Sequence, residues 1–173
     1  MEYIEIMLQD VNKKDVDLII RQELNIKNDA VISSHFFNRL EQRDKEYEEI
    51  NSLVNYFSIP NTGNVFIREI TLGEKLYNVM VVMSFDEDFG DIILNFKEDD
   101  ICNCGSEELK LKLKKVTDVL IMMQKKYSIN NVMIGYESVF DNENVILKIS
   151  NGHKEVINKF NGILSSVMEV IQN

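Results

Sequence analysis

Cysteine, proline, histidine and positive charge are all scarce in this chain of 173 residues. It has two Cys, one Pro and two His, and 19 Lys plus Arg against 29 Asp plus Glu, for a net charge of −10. The shortage of positive charge argues against holding nucleic acid, because phosphate contacts need Lys and Arg. Long apolar runs are missing too. The longest, Val79–Met83 and Val119–Met123, fall far short of the roughly 20 residues that cross a bilayer. The opening Met1-Glu2-Tyr3-Ile4-Glu5 carries acid where an export signal carries base, so a cytoplasmic protein is expected. Cys102 and Cys104, separated by one residue, are poorly placed for a disulfide. A closed metal site would have to recruit the distant His35 and His153. No metal and no cofactor are expected, and the cysteines read as small residues in a turn before a helix.

Enzyme signatures are missing as well. There is no G-x-S-x-G, no H-E-x-x-H, no phosphate-binding G-x-x-x-x-G-K and no G-x-G-x-x-G. His35, beside Phe36 and Phe37, reads as a hydrogen-bonded helix residue, and His153, after Asn151-Gly152, as part of a turn opening the last helix. The loop Asp86-Glu87-Asp88-Phe89-Gly90-Asp91 has its glycine fifth and Lys97 twelfth. A calcium-binding EF-hand needs glycine sixth and glutamate twelfth. No catalytic residue is assigned.

What is present is a globular balance of 45% apolar and 28% charged residues, expected to form one domain over residues 1–173. Alternation of Ile4, Ile6 and Leu8 predicts a strand over Tyr3–Leu8. Helical spacing of Val16, Ile19, Ile20 and Leu24 predicts a helix over Asp15–Leu24. A longer helix is expected over Ala30–Phe57, from Phe36, Phe37, Leu40, Tyr47, Ile50, Leu53, Val54 and Phe57. After the only proline, Pro60, three antiparallel strands follow as a meander: Val65–Ile70, Leu76–Phe85 and Asp91–Phe96, with turns at Gly73 and Gly90. In the middle strand Tyr77, Val79, Val81, Met83 and Phe85 should share one face.

Ser106 reads as the N-cap of a helix with the stripe Leu109, Leu113, Val116, Leu120, Met123 and Tyr127. Strands at Val132–Tyr136 and Val145–Ile149 precede a final amphipathic helix, Val156 to Ile171. The order β-α-α-β-β-β-α-β-β-α implies an α+β fold, an antiparallel sheet packed with about four helices.

Charge is unevenly placed. The 25 residues from Ser84 to Glu108 hold nine acids and one lysine, a net of −8. The helix after them has six lysines and one acid between Lys110 and Lys126, enough to neutralise part of that window from its flank. Crowding like charges costs repulsive energy, and a basic partner would turn that cost into attraction and fast association. Phe89, among the acids, is the apolar anchor such an interface would use. The candidate partner-binding residues are therefore Asp86, Glu87, Asp88, Phe89, Asp91, Glu98, Asp99 and Asp100. The alternative for each acid is solubility and protection of strand ends.

The small acidic α+β domain, with the stretch Gly73-Glu74-Lys75-Leu76-Tyr77-Asn78-Val79-Met80-Val81-Val82-Met83-Ser84-Phe85-Asp86, resembles bacterial immunity proteins of the polymorphic-toxin type. That resemblance implies a non-catalytic protein that binds a cognate toxin, often a basic nuclease, and occludes it. Two further readings stand beside it: a small enzyme or ligand-binding domain with a carboxylate-lined pocket, and a homo-oligomeric subunit pairing through a sheet edge.

Overall fold

A computed structural model describes residues 2–158. Its nine strands form one sheet in the order β3-β2-β4-β5-β6-β1-β7-β8-β9, with neighbours antiparallel throughout. The strands are β1 (Tyr3–Asn12), β2 (Val31–Asn38), β3 (Arg43–Lys45), β4 (Asn61–Leu72) and β5 (Glu74–Phe85), then β6 (Phe89–Lys97), β7 (Asn131–Tyr136), β8 (Val145–Ser150) and β9 (His153–Val156). The helices are α1 (Val16–Leu18), α2 (Leu53–Tyr56), α3 (Asp99–Cys102) and α4 (Ser106–Tyr127). The α+β class stands, but the strand count and element order differ from the sequence expectation. The two outer strands are short and charged, Arg43-Asp44-Lys45 and His153-Lys154-Glu155, which discourages edge pairing.

The largest difference lies in residues 30–57, expected to be one helix. Here β-branched Val31 and Ile32 and aromatic Phe36 and Phe37 enter strand β2, whose register places Phe36 opposite Gly63 of β4. Asn38 turns the chain, its Oδ1 accepting from the amides of Leu40 and Glu41. Leu40, counted in the helical stripe, projects from this turn 88% exposed. The true core residues of the segment, Phe36, Tyr47, Ile50, Leu53 and Phe57, come from separate strand, turn and helix pieces.

Asp17 secures these pieces. Its carboxylate accepts from the amides of Leu53 (3.0 Å) and Val54 (3.2 Å), from Ser52 Oγ (2.9 Å) and from Arg21 Nε (3.1 Å). It thus caps α2 from a distant part of the chain. Arg21 in turn donates to Ile50 O and lies 5.0 Å from the Tyr47 ring centroid. Burial alone would raise the Asp17 pKa, but the four donors outweigh it and lower it.

In β5 the burial alternation switches side. Val79, Val81, Met83 and Phe85 are buried, but so is Leu76, whereas Tyr77 is 42% exposed. Asn78 has φ of 51°, and this left-handed residue reverses the faces, so Tyr77 does not join the row assigned to it. Gly73, at φ of 72°, makes the β4–β5 turn where it meets α4; a Cβ there would lie 2.5 Å from Lys115 O.

The stripe of α4 is buried as expected, Leu109 through Tyr127. Its N-cap, however, is Gly105, with Ser106 the first helical residue. This stripe joins Ile4, Ile6 and Leu8 of β1 and Ile92, Leu94 and Phe96 of β6 in one continuous core. His153 and Val156 belong to β9 rather than to a helix, and the rest of the expected final stripe, Phe160 to Ile171, lies outside the described residues.

The opposite sheet face carries a smaller cluster: Met7, Met133, Val139 and Val145, with Ile93 against it. Beside it Glu5, only 8% exposed, accepts from Asn95 Nδ2 (3.1 Å) and from the amide of Val139 (3.0 Å). The buried carboxylate thereby ties the β7–β8 connection to the middle of the sheet.

Two outcomes test this reading. Asp17→Asn should cost about 1–3 kcal/mol in denaturant unfolding at pH 7. Because the folded pKa of Asp17 lies below its unfolded value, its contribution is complete above about pH 4 and fades as pH falls through the folded value. The gap between parent and variant should therefore narrow in acid; a gap independent of pH would refute the assignment. Glu5→Ala should accelerate hydrogen exchange at the Val139 amide while leaving that of Ile6 protected. Unchanged exchange at Val139 would show that Glu5 does not hold the connection.

Candidate functional site

Strand β6 divides the acidic window. Asp86, Glu87, Asp88 and Phe89 surround the β5–β6 turn, and Asp91 follows just inside β6. Glu98, Asp99 and Asp100 lie beyond its other end, at the start of α3. At about 3.3 Å per residue the two groups are roughly 26 Å apart. The eight candidate residues therefore do not form one patch.

At the turn, Asp86, Glu87 and Asp88 are exposed. Among the described residues no ion pair engages them or Asp91. Lys13 reaches the loop, but its ammonium donates to the carbonyl of Glu87 and its amide to the carbonyl of Asp88 (2.8 Å). The lysine thus fixes the turn through its backbone and leaves the carboxylates outward. The Asp86 amide donates to Phe89 O (2.9 Å), closing the turn. Phe89 is 50% exposed. Gly90 allows the tight approach that sets it there, since a Cβ at Gly90 would fall 2.3 Å from Ser84 O and 2.4 Å from the Phe85 ring.

The sheet brings Asp10 to the same place. Strand β1 changes register against β6 between Leu8 and Val11, and Asp10 within that bulge has φ of 56°. Its amide donates to Asp91 Oδ1 (3.0 Å), and its own Oδ2 accepts from Asn130 Nδ2 (2.8 Å). Burial raises the pKa of Asp91; the Asp10 amide opposes the rise, and the charges of Asp10 and Asp86 add to it.

The far group has a different character. Glu98 accepts from Tyr136 OH (2.8 Å). Asp100 turns one oxygen, Oδ2, into the protein without a hydrogen-bond partner, and burial raises its pKa. Asp99 is exposed. Cys102 and Cys104 are free and half-buried, and Cys104 Sγ donates to Ile101 O (3.3 Å). Burial, reinforced by Glu98, pushes the Cys102 thiol up to about 12, the state of an inert thiol rather than of a nucleophile. Among the described residues no group of three or more His, Cys, Asp or Glu is placed to hold a metal ion.

The lysines of α4 are largely engaged elsewhere. Lys110 pairs with Glu107, Lys112 with Glu108, Lys114 with Asp118, Lys115 with Glu74 and Lys126 with Glu23. Lys110 and Lys112 neutralise the helix-start acids of the window, and none of the five pairs reaches the β5–β6 turn.

Two hollows meet at Phe89. One, of about 520 Å³, is lined by Asp10, Asp86, Glu87, Asp88 and Asp91. The other, of about 750 Å³, lies between Phe89 and the end of α4, with Lys125, Ser128, Asn130 and Asn151 on its walls. Asp10 and Phe89 line both. Sequence reading finds the acidic turn but misses Asp10 and the whole second hollow. The available signal was the Asn151-Gly152 turn and the end of the α4 stripe at Tyr127, neither of which tells that they face Phe89.

Against known proteins, the sequence model of the PABL017 Cdi1I immunity protein family matches residues 2–152. A curated relative, an uncharacterized 341.7 kDa protein in the psbD-psbC intergenic region of Chlamydomonas reinhardtii, is 27% identical over 145 residues. That is 80% of this chain, which spans 5% of the length of that relative. The structure is similar to a chain in the crystal structure of the toxic C-terminal tip of CdiA from Pseudomonas aeruginosa in complex with immune protein. The TM-score is 0.66 at 17% identity, over 87% of this chain and 95% of that one. At this identity the likeness concerns the fold.

Proposed function

Since the chain belongs to the PABL017 Cdi1I immunity protein family, we propose that it neutralises a toxin domain by docking it on the β5–β6 turn. Asp86, Glu87, Asp88 and Asp91 supply the charge and Phe89 the apolar anchor. The single observation that carries this reading is the state of those carboxylates: they are gathered at one end of the sheet, and among the described residues no ion pair spends them. Such a cluster steers a basic partner into contact and gains most where the meeting surfaces exclude water.

The toxin is then inhibited by occlusion, with no catalysis by this chain, and the encounter takes place in the cytoplasm. Residues 1–173 act as one domain, a reading supported by the single sheet that all the described strands join and by the continuous core on its helical face. Glu98, Asp99 and Asp100 fall outside the docking surface, at the other end of β6, where Glu98 accepts from Tyr136, Asp100 turns an oxygen inward and Asp99 is exposed. The carboxylate-lined hollow also fits a second reading, a small cationic ligand bound by the same acids, but family membership favours the protein partner.

The test is co-expression with the cognate toxin domain, identified by pull-down and mass spectrometry, read as growth of the host cell and as binding kinetics. Reversal of the turn acids in Asp86→Lys, Glu87→Lys and Asp88→Lys together should abolish protection and slow association at least ~10-fold. Asp99→Lys should do neither. Association of the parent should slow as salt rises from about 0.05 to 0.5 M. Full protection by the triple variant would refute the reading.

A further inference from the structure

We propose that the 750 Å³ hollow behind Phe89 is the second half of the toxin-docking surface and receives an extended, uncharged stretch of the toxin backbone. Phe89 is then the ridge between that stretch and a Lys or Arg side chain lying over the acidic turn. This rests on the toxin-binding reading above and adds a part of the molecule that reading does not use.

Size and continuity come first. The volume lies in the range of clefts that enclose a ligand or an inserted segment. The hollow is also not separate from the acidic one: Asp10 and Phe89 belong to both walls. A partner resting on the turn therefore covers its mouth.

Charge separates what each side accepts. Among the described residues the acidic hollow has five carboxylates and no basic residue on its walls. In the larger hollow Asp10 is balanced by Lys125, and the remaining polar groups are the amides and hydroxyl of Gln124, Ser128, Asn130 and Asn151. Gln124 is fully used within the protein. Its Nε2 donates to the carbonyls of Asn130 (3.3 Å) and Ile149 (3.4 Å), and its Oε1 accepts from the Gly152 amide (2.7 Å). It shapes the wall. Ser128, Asn130 and Asn151 are exposed at the rim, where donors and acceptors of both kinds match the alternating N–H and C=O of a peptide backbone.

The hollow is pre-formed. Asp10, Ser128 and Asn151 have φ between 52° and 56°. Half of the six non-glycine residues with positive φ among the described residues thus line this one depression. Each conformation costs of order 1 kcal/mol and persists only where the surroundings fix it. Here a sheet bulge, the end of α4 and the β8–β9 turn do so. A site whose shape is already set loses less freedom on binding.

The experiment fills the hollow from exposed positions without altering the acidic turn, using Asn130→Trp and Lys125→Trp. Each is measured against the activity-disabled form of the same cognate toxin domain, with thermal unfolding as the check of folding. Dissociation should accelerate at least ~10-fold while association becomes no slower than the parent's, since steering belongs to the turn, residence to packing, and loss of the Lys125 charge can only favour a basic partner. If Asn130→Trp fails to fold, Lys125→Trp decides. Parent-like dissociation of the folded variants, with binding lost in the triple turn variant, would overturn this inference and leave the toxin-binding reading standing. Parent-like binding by all of them, the triple variant included, would overturn both.

Discussion

Strand β1 is hydrogen-bonded on both sides, to β6 from Tyr3 to Asn12 and to β7 from Ile4 to Gln9. In the sheet order it stands between the five strands β3-β2-β4-β5-β6 and the three strands β7-β8-β9, and it alone joins them. Ile4, Ile6 and Leu8 face the helices, while Glu5 and Met7 face the other side under the β7–β8 connection. A strand so placed is buried on both faces. Its single irregularity, the bulge between the core residues Leu8 and Val11, delivers Asp10 between the acidic turn and the end of α4. The position of the candidate site is thus a consequence of how the two parts of the sheet are joined.

Much of the core was legible because it follows local periodicity. The α4 stripe and the buried residues of β5 and β6 repeat at the spacing their elements demand. Residues 30–57 misled for a definite reason: Phe36, Leu40, Tyr47, Ile50, Leu53 and Phe57 fall at helical intervals although three kinds of structure separate them. The preference of Val31, Ile32, Phe36 and Phe37 for a strand was outvoted by that spacing, and the partner that decides the matter, β4, begins only after Pro60. Tyr77 illustrates the same limit on a smaller scale, because one left-handed residue, Asn78, exchanges the two faces of a strand without disturbing its alternation in sequence.

The functional region divides along similar lines. The acidic turn could be read because its charges are neighbours in sequence. That Glu98, Asp99 and Asp100 belong elsewhere could not, since a nine-residue strand of unremarkable composition carries them to the opposite end of the sheet. Lysine pairing likewise depends on the fold: α4 meets Glu74 at the β4–β5 turn and Glu23 through the N-terminal helical segment, and none of these ion pairs reaches the β5–β6 turn. Asp10, Asn130 and Asn151 come from three separate segments, and no sequence spacing relates them to Phe89.

The central place of β1 has a bearing on how the molecule is made. This strand precedes both of its partners, which follow roughly 85 and 125 residues later along the chain, so its two hydrogen-bonding edges must wait for them. Closing such distant pairs is slow relative to the local hairpins β4–β5 and β5–β6. The acidic turn can therefore form on its own, but Asp10 and the wall behind Phe89 come together only at the last stage of assembly. A chain that stops short of β7 would in this way display the charge without the shape.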